Sequence, residues 1–331
     1  MKGKGHRVRR PLLKWVVALC LLAAVLVSVD RQTLWQELSQ MPIDLLLPAL
    51  AITVLQVLLS SGRWWYTARR LGVSLTYRVA LREYYIASFL NQVLPGGVLG
   101  DVNRAWRHGR ASGQPLYAMH GVAIERLSGQ LVLGLAVLIS VSWLAQVGVV
   151  PPESPWWMWG LVGLVVVVFL LGRYLIRSSR GARHYLRGLW RDIVRTLVAW
   201  PAFPIQMGSS VLVLASYLAV FLILAYGAGH LTSWNAMILT AALCCLLLLS
   251  MVLPVTVSGW GVREGAAAVL WPMAGLPPEQ GVALSVGYGA LVFLSTLPGL
   301  VFLTVRLKQA GSGARDPVRK NQDQRAYHCP D

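Results

Sequence analysis

Seven apolar runs dominate this chain, at 14–29, 43–62, 117–147, 156–176, 205–229, 235–253 and 281–305. Most are close to the ~20 residues that an α-helix needs to cross the hydrocarbon of a bilayer. In hydrocarbon a backbone must satisfy its own hydrogen bonds, so runs of this length mean helices. Only 13% of the 331 residues are charged and 56% are hydrophobic, against about 25% charged in a soluble domain. The fold class is therefore all-α and polytopic, in a membrane. A cytosolic enzyme, a secreted disulfide scaffold and a disordered chain are excluded.

Lys and Arg number 30 against 13 Asp and Glu, a formal charge of +17. A nucleic-acid binder would carry such a surplus on one polar face. Here it sits beside the apolar runs, where the positive-inside rule places cytoplasmic loops. It falls in residues 2–14, in 63–110, in 173–195 and after Arg306. The segments 30–41, 148–156, 229–235 and 272–280 together carry one such residue, Arg31. Both termini are expected in the cytoplasm, with no nucleic-acid partner. Arg9-Arg10 ahead of the first run reads as its cytoplasmic anchor and only faintly resembles a twin-arginine export signal.

These boundaries divide the chain into a basic N-terminus (1–13), a membrane domain (14–307) and a polar, disordered tail (308–331). Within the membrane domain, residues 177–200 differ in kind. Apolar residues recur at helical spacing, while Arg183, Arg187, Arg191 and Arg195 recur every four residues on another face. This predicts an amphipathic helix at the cytoplasmic interface, in contact with anionic lipid; a solvated linker helix is the alternative. Seven spans would leave the basic tail on the outer side. One further crossing, expected at 254–280, gives about eight.

Two segments are broken by helix-disfavouring residues and read alike. Leu94-Pro95-Gly96-Gly97-Val98-Leu99-Gly100-Asp101-Val102-Asn103-Arg104 and Leu253-Pro254-Val255-Thr256-Val257-Ser258-Gly259-Trp260-Gly261-Val262-Arg263 both fit Leu-Pro-x-x-x-x-Gly-x-x-x-Arg. Each lies between two apolar segments, which predicts an internal repeat with two broken or re-entrant helices. Proline removes a donor and glycine permits turns. Non-helical backbone at membrane depth survives where protein or a water-filled cavity surrounds it. Paired broken helices in the two halves of a transporter mark its binding site.

A half-helix starting near Gly100 would point free amides at that site and favour an anion. Arg104 and Arg263 would add bidentate donors for phosphate. Asp101 and Ser258 are candidate caps. The alternative is that both breaks are interfacial loops and Arg104 is ordinary cytoplasmic charge.

Glu125-Arg126 lies eight residues into the third run. Ionisable residues at that depth are expensive and face a partner or a cavity. Neighbours lie ~100° apart on a helix, so the two would pair with other segments. The expected partners are Arg263 or Arg104 for Glu125, and Glu264 or Asp101 for Arg126. They form either a headgroup site or gate, or a structural ion pair. The six histidines and four cysteines show no metal-ligand spacing; no metal, cofactor or catalytic residue is expected.

Three blocks together resemble the lysylphosphatidylglycerol synthase transmembrane-region family, also described as flippase-like integral membrane proteins. They are Asn91-Gln92 through Arg104, Glu125-Arg126-Leu127-Ser128-Gly129, and Gly259-Trp260-Gly261-Val262-Arg263-Glu264-Gly265. The resemblance covers about residues 12–307. It implies a bacterial or archaeal cytoplasmic membrane. In two-domain relatives this region is implicated in moving an aminoacylated phospholipid between leaflets, while a soluble domain makes that lipid. About 25 polar residues follow the last apolar run, so synthase activity is not expected. Stand-alone relatives are linked to glycolipid, hopanoid or lipid-linked sugar pathways.

The leading expectation is a lipid translocase or transport accessory that is not an enzyme. Its partners would be a membrane phospholipid or lipid-linked glycan, with envelope-biosynthesis enzymes beside it. A lipid-linked glycosyl- or phosphotransferase, a small-solute transporter and a scaffold remain open alternatives. A transferase needs positioned acids, for which Glu83, Asp101, Glu125 and Glu264 are the candidates.

Overall fold

The computed structural model describes residues 5–39, 43–94, 96–149, 180–252 and 256–313. Among them are eleven α-helices, one π-helical turn and no strand. In chain order these are α1 (Gly5–Ser28), α2 (Arg31–Ser39), α3 (Ile43–Arg70), α4 (Tyr77–Val93), α5 (Leu99–Ser112), α6 (Pro115–Gln146), α7 (Arg180–Ile193), α8 (Ala202–Gly227), α9 (Trp234–Ser250), α10 (Val262–Met273) and α11 (Pro278–Gly313). The π turn, Val194–Val198, separates α7 from α8. The chain is an all-α, multi-pass membrane protein.

Four described helices are long and apolar enough to cross a membrane: α3, α6, α8 and α11 as far as Val305. α1 from Ala18 and α2 meet at 99° and qualify only as a bent pair, and α9 is apolar but has 17 residues. The expected span at 156–176 lies outside the described residues. α10 has 12 residues, about 18 Å at 1.5 Å per residue. It cannot cross ~30 Å of hydrocarbon alone, so the extra crossing expected at 254–280 is not carried by this helix by itself.

Several boundaries move. Residues 30–41, read as an outer connection, contain helix α2. Residues 63–110, whose basic residues the positive-inside rule assigns to cytoplasmic loops, begin inside α3, and Arg63 is buried. The last helix continues past Lys308 to Gly313.

The repeat is visible in the helix order. α3–α4–break–α5–α6 and α8–α9–break–α10–α11 each run long, short, break, short, long. α3 and α8 pack against each other with paired residues that run in opposite directions. The Gln206 amide donates to the Thr67 hydroxyl at 2.7 Å, and Arg63 Nη1 donates to the Ser210 hydroxyl at 2.9 Å. The equivalent helices are antiparallel, so the repeat is inverted. The halves also exchange partners: α4 packs on α11, and α9 packs on α6.

α4 and α5 form a hairpin. The Asn91 side-chain Oδ1 accepts the Gly100 amide at 2.8 Å near the bend, and Arg107 donates to Glu83 at 3.0 Å farther along. Gly100 was expected to break the helix; it lies in the first turn of α5 instead. A Cβ there would overlap the Ala87 carbonyl, so its small size sets the approach of the two helices. The actual reversals use Gly96 (φ 102°), Gly97 (φ 62°), Gly259 (φ 79°) and Gly261 (φ 82°), a region that favours glycine. Pro95 and Pro254 lie outside the described residues.

Candidate functional site

The two breaks, 160 residues apart in sequence, meet. The Gly96 amide donates to the Thr256 carbonyl at 3.1 Å, and the Ser258 hydroxyl donates to Gln92 Oε1 at 2.7 Å. Ser258 therefore ties the breaks together and does not cap α10. Beside this junction is a cavity of about 290 Å³, at the small end of the ~300–1,000 Å³ typical of ligand pockets. Both breaks, α3, α4, α6, α8 and α11 line it.

One wall rests on a buried ionic cluster. The Glu125 carboxylate, fully buried on α6, accepts from Arg63 at 2.5 Å and from Arg104 at 2.7 Å. Asp101 accepts from Arg104 at 2.9 Å and from Arg126 at 2.6 Å, and it takes a further bond from the Asn91 amide. Asp101 is thus a counter-ion in the first turn of α5, and Asn91 takes the capping role expected of it. The Arg104 guanidinium also lies over the Trp64 and Tyr84 rings, 4.7 and 4.4 Å from their centroids. The expected pairs Glu125–Arg104 and Arg126–Asp101 form; Glu125–Arg263 and Arg126–Glu264 do not.

The second break builds a smaller, self-contained version. Arg263 Nη2 donates to Glu264 at 2.8 Å, and the Ser285 hydroxyl bridges the two. Glu264 also accepts the Gly261 amide at 2.7 Å, closing the N-terminus of α10. Trp260 and Tyr288 each lie 5.3 Å from the Arg263 guanidinium carbon. Neighbouring side chains meet here because Arg263 reaches out to Ser285 on α11 while Glu264 folds back over the helix end.

These contacts change the roles expected of the arginines. Arg104 and Arg263 are 1% and 3% exposed and held by carboxylates and aromatic rings. Neither presents a free fork to a phosphate. Arg126, with a side chain 44% exposed, does face the cavity, and Arg63 lines it from α3. By sequence alone Arg63 belongs among the cytoplasmic charges. Its signal was present: Thr53, Gln56, Ser60, Arg63 and Thr67 recur every three to four residues through an apolar run, one polar stripe down a helix. Gln56 is 5% exposed, lines the cavity, and its Nε2 has no partner among the described residues.

On the arginine-rich end of the bundle, α7 is amphipathic as expected. Arg187, Arg191 and Arg195 are exposed; the Arg183 side chain lies outside the described residues. A contact not legible from spacing docks this helix. His120 on α6 meets Asp192 at 2.7 Å and the Tyr185 hydroxyl at 3.3 Å, while Arg70 donates to the Arg195 carbonyl at 3.1 Å. Among the described residues no group of three or more His, Cys, Asp or Glu could hold a metal ion.

No curated protein and no solved structure matches the chain. The family model for the lysylphosphatidylglycerol synthase TM region matches residues 12–299, most of its length. The chain belongs to that family, of membrane proteins tied to lipid or envelope handling.

Proposed function

We propose that this protein is a lipid translocase, or the lipid-binding part of one, and that it receives an anionic headgroup in the cavity between its two broken helices. The observation that carries this reading is Arg126: a half-exposed guanidinium, at the meeting point of two interrupted helices, inside a membrane domain. An intramembrane cation that faces a cavity marks a ligand path. Interrupted helices in the two halves of an inverted repeat are where transporters bind their cargo. Arg126 would contact the phosphate. Arg104, Asp101 and Glu125 would hold it in place from behind, and Arg263 with Glu264 would brace the opposite break.

With the arginine-rich ends of α3 and α7 at the cytoplasmic face of a bacterial inner membrane, Arg187, Arg191 and Arg195 would gather anionic lipid near the bundle. Both chain termini would lie on that side. The acids that a transferase would need are all engaged by arginines, which favours binding and movement over chemistry.

The test is leaflet exchange of acyl-labelled phosphatidylglycerol in proteoliposomes. Wild type should accelerate exchange, and Arg126→Gln should lose at least tenfold of that acceleration while eluting as the same monodisperse species. Equal exchange by the two proteins would overturn the assignment of Arg126.

A further inference from the structure

The charge and polarity of the cavity select among headgroups. This step rests on the proposed lipid-binding site. Three arginines, Arg63, Arg104 and Arg126, meet two carboxylates, Asp101 and Glu125. The cluster keeps one net positive charge, and Arg126 presents it to the cavity. An unmatched charge in a membrane interior is costly, and one phosphodiester supplies the one negative charge that matches it.

No Asp or Glu lines the cavity among the described residues. Asp101 and Glu125 stand behind its wall with both oxygens bonded to arginine, and Glu264 is shared between Arg263 and the Gly261 amide. The remaining polar lining is neutral and rich in hydroxyl and amide groups: Thr53, Gln56 and Ser60 on α3, Ser295 and Thr296 on α11, and Ser258 in the second break.

A headgroup ammonium would find no counter-ion here. Aromatic faces are the other usual partners of an ammonium, and two of the three cavity tyrosines are occupied. Arg104 covers Tyr84. Arg263 and the stacked Phe221 ring, 4.2 Å centroid to centroid, occupy Tyr288. Tyr217 packs edge-on against Tyr288.

We infer that the cavity takes a headgroup with one phosphate and neutral hydroxyls and discriminates against one carrying a free ammonium. That separates phospho-polyol headgroups, such as phosphoglycerol, from headgroups that carry a free amine.

The experiment measures binding of three lipids to the purified full-length protein in nanodiscs: phosphatidylglycerol, phosphatidylmethanol and lysyl-phosphatidylglycerol. The second keeps the charge without the hydroxyls, and the third adds ammonium groups. Phosphatidylglycerol should bind at least tenfold more tightly than the lysyl ester, with phosphatidylmethanol between them. Gln130 lines the cavity one turn from Arg126 and is exposed, so Gln130→Glu should fold and shrink the tenfold preference to threefold or less. Lysyl-phosphatidylglycerol binding equally or more tightly would overturn the inference, as would a preference unmoved by Gln130→Glu.

Leaflet exchange of the same three lipids separates the two levels. Selective binding without exchange keeps the headgroup assignment and removes translocation. Unselective exchange keeps translocation and removes the headgroup assignment. Binding of none of the three removes both.

Discussion

The two breaks share one sequence pattern and one backbone plan, yet they do different work. In the first, Arg104 reaches across to α6 and joins Arg63, Asp101, Glu125 and Arg126 in a network drawn from three helices. In the second, Arg263 closes on its own neighbour Glu264, with Ser285 between them. One network retains a positive charge and shows it to the cavity; the other is neutral and buried. An inverted repeat supplies two equivalent half-sites, and divergence of a few side chains makes one a charged cavity wall and the other a buried neutral pair. The position after Gly100 is Asp101, whereas the position after Gly259 is Trp260. A second difference completes the change: Glu264 stands where the first repeat has Ala105, so the counter-ion precedes the arginine in one half and follows it in the other.

Substitutions can break this contrast, in order of expected size. Glu125→Gln should be the most damaging, because it takes the carboxylate from buried Arg63 and leaves Arg104 with Asp101 alone. Loss of one partner from a buried pair typically destabilises by about 3–5 kcal/mol. Thermal unfolding in detergent should show a larger loss than for Glu264→Gln, whose carboxylate serves one arginine. Gly100→Ala comes next, at about 1–3 kcal/mol, the usual range for overpacking, since the new methyl meets the Ala87 carbonyl. Gly259→Ala should be milder: its added carbon meets the flexible Met251 side chain, leaving chiefly the ~1–2 kcal/mol of left-handed backbone. A reversed order would show that the second break, and not the first, holds the domain together.

Arg126→Gln and Arg263→Gln sharpen the functional side. The first should lose anionic-lipid exchange with little change in unfolding temperature, because that side chain is 44% exposed. The second should lose stability, with any fall in exchange tracking the fraction of folded protein. The smallest effect belongs outside both breaks. Each of Arg187→Gln and Arg191→Gln should weaken association with anionic surfaces by about 1 kcal/mol, roughly the value of one basic residue near such a membrane. Cosedimentation of the nanodisc-free protein in mild detergent with anionic mixed micelles, at low and high salt, would show it.

Much of the fold was legible because hydrocarbon tolerates so few solutions. Apolar runs of about 20 residues had to be helices, and the repeated Pro and Gly positions had to interrupt two of them. The amphipathic spacing of α7 was equally plain. Arg63 was misassigned because a cation next to an apolar run has two meanings in sequence, a cytoplasmic flank or a buried partner, and only its distance to Glu125 separates them. Arg104 and Arg263 were read as phosphate ligands because sequence shows their charge and not the carboxylates that consume it. Asp101 and Ser258 were assigned as caps from their position. Their side chains instead found stronger partners: two arginines for Asp101, and Gln92 of the opposite break for Ser258.

The sequence by itself determined that this chain is a helical membrane protein, where its helices break, and that the breaks form a repeated pair. Those properties follow from local chemistry: hydrophobicity, backbone donors and glycine conformations. Tertiary structure decided that the repeat is inverted, that the two breaks touch, and that Arg126 and Arg63, rather than Arg104 and Arg263, line the cavity. These depend on which side chains meet across distances of 21 to 166 residues. No single helix carries that information, because a buried charge is defined by its partner and the partner lies on another helix.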